Sequence, residues 1–432
     1  MMACLPDGLV RQLDAAVETH IEAELGFLRA LVSEPSTVGN EAGAIEVLGD
    51  RLSRLGLDPT LVSIDDRIAA DPLAGVPSQG YRDRHNLLAT TNGTSDSLSL
   101  LINGHIDVVP AEGPGWSSPP FVPVLAGDRM YGRGAGDMKG GLVAATLALQ
   151  AISVVAGDFL DHPMALLAVI EEECTGNGTL SALRSGIDAE VVLLPEPTNQ
   201  SILLGGIGIV WLQLTINTRG GHAEAADRLR SPSQLLSGLI AELGNLEREL
   251  NESIEEPFTD LSQPYNVNIG KIQAGDWASS VPAWVTLEVR IGFPNGYSHD
   301  EIAQLVEKRL GVVIAGPEDF SLTVTATGFR AEGYYLDPAS SLVSTFSDVL
   351  VRHYGQRPAR EVMGSTTDAR YYVNHGRGEA LCYGPIVGNM HGTDEYVVIS
   401  SIVETAKHYA SFIVSYLSGE LDILNPSRMK HG

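Results

Sequence analysis

Three short apolar runs, SLSLLING (97–104), MALLAVI (164–170) and AEVVLL (189–194), have the length of strands, and each stops abruptly at a turn signal, acidic residues or proline. Between the first two lies GLVAATLALQAISVV (141–155), rich in small and apolar residues, which predicts a helix packed on a sheet. Upstream, apolar residues recur at helical spacing over 10–31 and again over 41–56, ending near Gly56. Strands that alternate with helices predict an α/β layer structure, a mostly parallel sheet flanked by helices. In such sheets ligands bind at the carboxyl edge of the strands. The polar groups fall there: His105 and Asp107 follow the first run, Glu171 to Glu173 the second, and Glu196 the third.

At 432 residues the chain exceeds what one hydrophobic core usually serves, so two domains are expected. The texture changes at about 209. GIVWLQLTINTRG (208–220), WVTLEVRIGF (284–293) and FSLTVTATGF (320–329) alternate as strands with one wet face, and SPSQLLSGLIAELGNLEREL (231–250) reads as a long amphipathic helix. The stretch 251–264 reads as a loop, and helical character resumes over 339–354. The division expected is 1–208 and 328–432 for the α/β part, with an inserted α+β domain over 209–327 carrying an antiparallel sheet.

The formal charge of −26 argues against nucleic acid or an anionic membrane as partner, since both are held by Lys and Arg. Three cysteines form no disulfide framework and no CxxC pair. No apolar run approaches the ~18 residues of a membrane span, and the first residues lack a secretory apolar core. A cytoplasmic location is the expectation.

The stretch AVIEEECTGNGT (168–179) places three adjacent carboxylates at a strand end, where they must be solvated, neutralised or attached to a cation. In NGHIDVVP, His105 and Asp107 stand two apart, so in an extended segment both turn toward one centre, and Asp107 is placed to accept the second ring N–H of a ligating imidazole. YGRGAGDMKGG (131–141) lacks the final glycine of a dinucleotide loop and the Lys–Ser/Thr of a P-loop. Its glycines let backbone approach while Asp137 faces the site, and a carboxylate there can bridge two cations. His391 lies in a glycine-flanked loop, GPIVGNMHGTDEY. Cys174 and His85 read as packing residues, and Lys139 as a charge that is either solvated or set just behind the site.

GHIDVVP, GRGAGDMKGG, EEECTGNGT, PEPT, GGHAEAAD, SSVPAWVTLEVR and GNMHGTDEYV occur in the order found in the M20 family of zinc amidohydrolases and peptidases, and the chain resembles its acetylornithine deacetylase and succinyl-diaminopimelate desuccinylase branch. The resemblance implies a zinc-exopeptidase-like catalytic domain with an inserted dimerisation or lid domain. It implies two divalent metal ions per subunit, zinc with cobalt or manganese able to substitute. One would be held by His105, Asp137 and Glu196, the other by Asp137, Glu173 and His391. It makes Glu172 the general base and Asp107 a catalytic partner of His105, and leaves Glu171 where relatives often carry Asp. It gives His222 the role of the histidine that reaches the site of the partner subunit in a homodimer. Arg290, Thr367 and Asp368 become substrate contacts. The activity implied is hydrolysis of a linear amide in an N-acyl amino acid. A dipeptidase or carboxypeptidase, or an N-formyl-pyrimidine deformylase-like enzyme, is the alternative.

Overall fold

The computed structural model describes residues 5–91, 97–111, 113–315 and 320–420, without the side chains of 419 and 420. Its larger sheet has at its centre four parallel strands in the order Met164–Val169, Leu98–His105, Ala189–Leu194 and Glu379–Cys382. Antiparallel strands close both edges, His85–Thr90 and Asp58–Ser63 on one side and Ile202–Gly206 and Tyr334–Tyr335 on the other.

The central strands read as continuous apolar runs because both faces are covered. Leu100, Ile102, Leu166, Val191 and Leu193 pack toward the helices Asp7–Ser33, Gly140–Val155 and Ile399–Ser415. The alternate residues, Leu101, Leu167, Val192 and Leu194, face Ala182, Ala369 and Tyr372 on two shorter helices, Asn177–Arg184 and Ala369–His375. Ala135–Val155 is long and apolar enough to cross a membrane, but most of it is buried inside the protein. That helix is the middle of a core layer.

The expected helices occur as Asp7–Ser33, Ala42–Arg54, Leu236–Leu250 and Ser341–Tyr354. A second sheet, in the order Val267–Ala274, Trp284–Phe293, Gly208–Asn217 and Ser321–Ala331, is antiparallel throughout. Val210, Leu212, Leu214 and Ile216 project from one face of it onto Leu239, Leu243 and Leu246 of one helix and Ile302, Val306 and Leu310 of another, His299–Ile314. The chain enters this second unit after Ile202–Gly206 and returns through Tyr334–Tyr335, which pair with each other, Gly206 opposite Tyr334.

Candidate metal centre

The connection from Leu98–His105 runs toward Met164–Val169, whereas that from the neighbouring Ala189–Leu194 leads away to Ile202–Gly206, so the switch point of the sheet lies between these two strands. His105 ends the first of them and Glu196 follows the second. His105 donates from Nδ1 to the main-chain carbonyl of Asp107 at 2.9 Å, which leaves Nε2, 3.1 Å from Asp137 Oδ1, as the ring atom able to serve a metal ion. The acceptor expected for that ring N–H, the Asp107 carboxylate, lies 3.7 Å away and is engaged elsewhere. Its two oxygens accept the backbone N–H groups of Glu172 and Glu173, each at 3.2 Å. Asp107 therefore fixes both the imidazole and the glutamate turn.

The three glutamates part company at Glu171, whose φ of +65° is uncommon for a residue with a side chain. Glu171 turns inward and accepts from Tyr81 Oη at 2.6 Å, Thr175 Oγ1 at 2.7 Å and Arg84 Nη1 at 2.6 Å. Arg84 also engages Glu41. One carboxylate of the trio is thus neutralised by a guanidinium, and only Glu172 and Glu173 reach the site. Glu173 Oε2 lies 3.0 Å from His391 Nε2, which is 3.4 Å from Asp137 Oδ2.

Asp137 is held by its backbone. The N–H groups of Gly136 and Asp137 donate to Glu395 Oε1 at 2.9 and 3.0 Å, while Arg133 donates to Glu395 Oε2 at 2.5 Å and to the carbonyl of His391 at 3.2 Å. Gly134 has φ +79°, and a Cβ there would stand 2.5 Å from Val108. The loop bearing Asp137 and the loop bearing His391 are in this way one assembly.

One ligand atom each from His105, Asp137 and Glu173 lie within 4.8 Å of one another. Glu172 and Glu196 are buried beside them, and among the described residues no donor reaches either carboxylate. Burial, then neighbouring carboxylates, raises Glu172 well above the usual carboxylate range and Glu196 to about 8, against the attraction of His105. His391 is pushed up to about 11, chiefly by Glu173. Against the opposing effect of burial, Asp137 and other carboxylates hold His105 well above its ordinary value. Carboxylates shifted upward beside imidazoles shifted upward mark a cluster dense in negative charge, of the kind a cation stabilises. Mixed imidazole and carboxylate donors fit divalent metal ions such as zinc.

The remaining candidates are spread out. Arg290 and Thr367 line a cavity of about 580 Å³ that opens onto Asp137, Glu172, Glu173, Glu196 and His391. Arg290 bonds to Asn266 and to the carbonyl of Gly364, and no carboxylate among the described residues lies within 4 Å of it. Thr367 shares its hydroxyl with Tyr334 Oη at 2.8 Å. Asp368 is absent from the cavity wall: it is buried, accepting from Thr179 Oγ1 at 2.6 Å with Arg370 at 3.5 Å. His222 is exposed on the ribbon formed with Ser280–Val281, away from the cavity, and caps Glu224 N–H at 3.2 Å. Lys139, expected either in solvent or just behind the site, is fully buried. It donates to the carbonyls of Leu31 and Glu34 at 2.8 and 2.9 Å, capping the end of Asp7–Ser33, and burial lowers its pKa to about 7. The cysteine beside Glu173 is half-buried, and burial raises its thiol, as a packing role requires. The His85 ring has Ser63 Oγ, at 3.4 Å, as its one hydrogen-bond partner among the described residues.

Sheet and site together define an α/β protein with a buried carboxylate and imidazole cluster, built at a strand switch point, for divalent cations. Residues 101–415 match the model of Peptidase family M20/M25/M40, and the chain belongs to this family of hydrolases. It is 29% identical over 406 residues to a succinyl-diaminopimelate desuccinylase of Methylorubrum extorquens, a match covering 91% of this chain and 98% of that one. Its fold is that of the di-peptidase Dug1p of Saccharomyces cerevisiae, with a TM-score of 0.74, 15% identity, and coverage of 95% and 98%. It is also that of YXEP of Bacillus subtilis, described as a dinuclear metal-binding peptidase, with a TM-score of 0.61, 12% identity, and coverage of 93% and 99%.

Proposed function

We propose that this protein is a two-metal deacylase that hydrolyses the linear amide of an N-acyl amino acid, with Glu172 as general base. The observation that carries the reading is the state of Glu172. It is buried among the ligand residues, its backbone is pinned by Asp107, and its carboxylate has no donor among the described residues. A binding protein has no use for such a group. The deacylase named among the relatives supports the same class of reaction.

His105, Asp137 and Glu196 would hold one ion and Asp137, Glu173 and His391 the other, both zinc in this reading. Such ions, when bound, polarise a carbonyl and bring the pKa of water to about 7. The protein's own contribution is proton traffic and position. A Glu172 carboxylate oxygen takes the proton of the attacking water and returns it to the departing amine. Arg290, a half-buried guanidinium with only neutral oxygens for partners among the described residues, takes the substrate carboxylate, and Thr367 lines the same cavity. Asp368 acts from behind the wall, holding Thr179. His222, remote within one chain, serves the site of the other subunit of a cytoplasmic homodimer, with 209–327 as the dimerisation unit inserted into a catalytic domain of 1–208 and 328–432.

The test is amine release from N-formyl, N-acetyl and N-succinyl amino acids and dipeptides by zinc- or cobalt-loaded protein, with a chelated control. Chelator-sensitive cleavage of acyl amino acids is expected; cleavage of dipeptides alone would replace deacylase by dipeptidase. Glu172→Gln should keep its metal and lose about 10²- to 10⁴-fold in kcat. Loss of metal instead would move the base to another glutamate.

A further inference from the structure

A second cavity, of about 680 Å³, adjoins the first, and the two share Glu173, Trp211 and Arg290. Trp211 and Arg290 are direct cross-strand partners of the second sheet, so an indole and a guanidinium stand side by side on one face above the centre. Trp211 meets the ring of Phe329 edge-on, with centroids 5.3 Å apart and planes at 84°. Leu203, Ile209 and Met363 continue this wall, and Val76, Val108 and Val109 make the second cavity apolar as well.

The protein's own cations are few, and the charge of the two ions proposed above is matched by the carboxylates of Asp137, Glu172, Glu173 and Glu196. Arg290, His391 and Lys271 are the cationic side chains that line either cavity among the described residues. His391 belongs to the metal centre, and Lys271 is 2.9 Å from Glu288. Arg290 alone is left without a carboxylate. Glu361, exposed on the first cavity, adds a further negative charge. A second or third carboxylate on a substrate would have to leave water against apolar walls or other acids, which costs several kcal/mol without a partner.

Resting on the deacylase reading above, we infer that the substrate carries one carboxylate, taken by Arg290, beside apolar groups packed on Trp211 and Phe329, and that N-acyl substrates bearing several carboxylates are rejected.

The test compares kcat/KM for N-acetyl-L-phenylalanine, N-acetylglycine and N-succinyl-L-glutamate with metal-loaded protein, and binding of the same three to the Glu172→Gln protein by calorimetry. The phenylalanine derivative should exceed the tricarboxylate by about 100-fold or more in both readouts, because a substrate carboxylate brought into the cavity without a partner costs several kcal/mol. Trp211→Ala should lower the ratio of phenylalanine to glycine derivative about tenfold, and Trp211→Phe should retain most of it. Equal or better use of N-succinyl-L-glutamate would overturn the inference while leaving the deacylase standing, and this comparison needs no variant. An unchanged ratio in a folded Trp211→Ala would also overturn it. Cleavage of none of the three, with acyl amino acids in general also untouched, would remove the deacylase reading itself and this inference with it.

Discussion

Replacing Arg84 by Met tests how the glutamate turn is held. The guanidinium is 8% exposed and lies between the side chains of Glu41, 3% exposed, and Glu171, 0% exposed. Methionine fills a similar volume but removes the one cation that, among the described residues, pairs with these two buried carboxylates. Breaking a buried ion pair from one side costs about 3–5 kcal/mol. Tyr81 and Thr175 still donate to Glu171, and the Gly39 N–H to Glu41, which places the expected loss toward the lower end, about 3 kcal/mol. Chemical denaturation followed by tryptophan fluorescence measures it. Because an orphaned buried carboxylate is relieved by binding a proton, the deficit relative to wild type should be smaller at pH 5 than at pH 8. Kinetics supply a second readout: Glu171 carries the turn that presents Glu172 and Glu173, so the loss of kcat should exceed what the folded fraction accounts for. A deficit below about 1 kcal/mol, equal at both pH values, would refute the claim that Arg84 neutralises this carboxylate.

Other consequences are as direct. Glu395→Ala frees the backbone of the Asp137 loop and the Arg133 guanidinium together, and metal affinity measured by competition with a chelator should fall about 10- to 100-fold, with the fold retained by circular dichroism. His408, buried against Tyr383 Oη at 2.8 Å, has its pKa lowered by burial to about 4. The unfolded chain binds this proton below about pH 6.5 and the folded chain does not, so the stability it allows is complete above that value and lost as the pH falls toward 4. His408→Gln should therefore lose about 2–3 kcal/mol less than wild type between pH 8 and pH 4.5 in denaturant titrations. His222→Ala, mixed with Glu172→Gln under conditions of subunit exchange, should regain activity, since each mixed dimer assembles one whole site; no recovery despite exchange would end the crossed-subunit role.

The parts of the fold that were legible are those whose burial is uniform. The runs 97–104, 164–170 and 189–194 announce themselves because helices cover both faces, and three metal-ligand candidates, His105, Glu173 and Glu196, stood out as polar residues following these runs, while Asp137 and His391 stood out in glycine-bearing loops. The edge strand Val267–Ala274 escaped notice: it is largely exposed and its register slips between Ile269 and Lys271, so no alternation survives. The helix His299–Ile314 carried a readable signal, the capping box of Ser298 and Glu301. Within the site, the fate of Glu171 was hidden because its cation, Arg84, lies 87 residues away. Arg133 and Glu395 sat inside motifs already noticed, yet their pairing across 262 residues is a property of the closed fold. For Lys139 the choice between solvent and a place behind the site stayed open for the same reason: only the helix end above it explains its burial.

The pairing of Gly206 with Tyr334 brings the two ends of the stretch 207–333 to adjacent places at one edge of the large sheet. In polymer terms the intervening chain is a closed loop whose length barely matters to what it closes. Spanning the same gap with a four-residue turn instead would change the closure entropy by roughly 3 kcal/mol. The strands that carry the centre lie outside that loop. The second unit can therefore grow, shrink or be exchanged over evolutionary time, altering what sits above the ions while the register that positions them is left untouched.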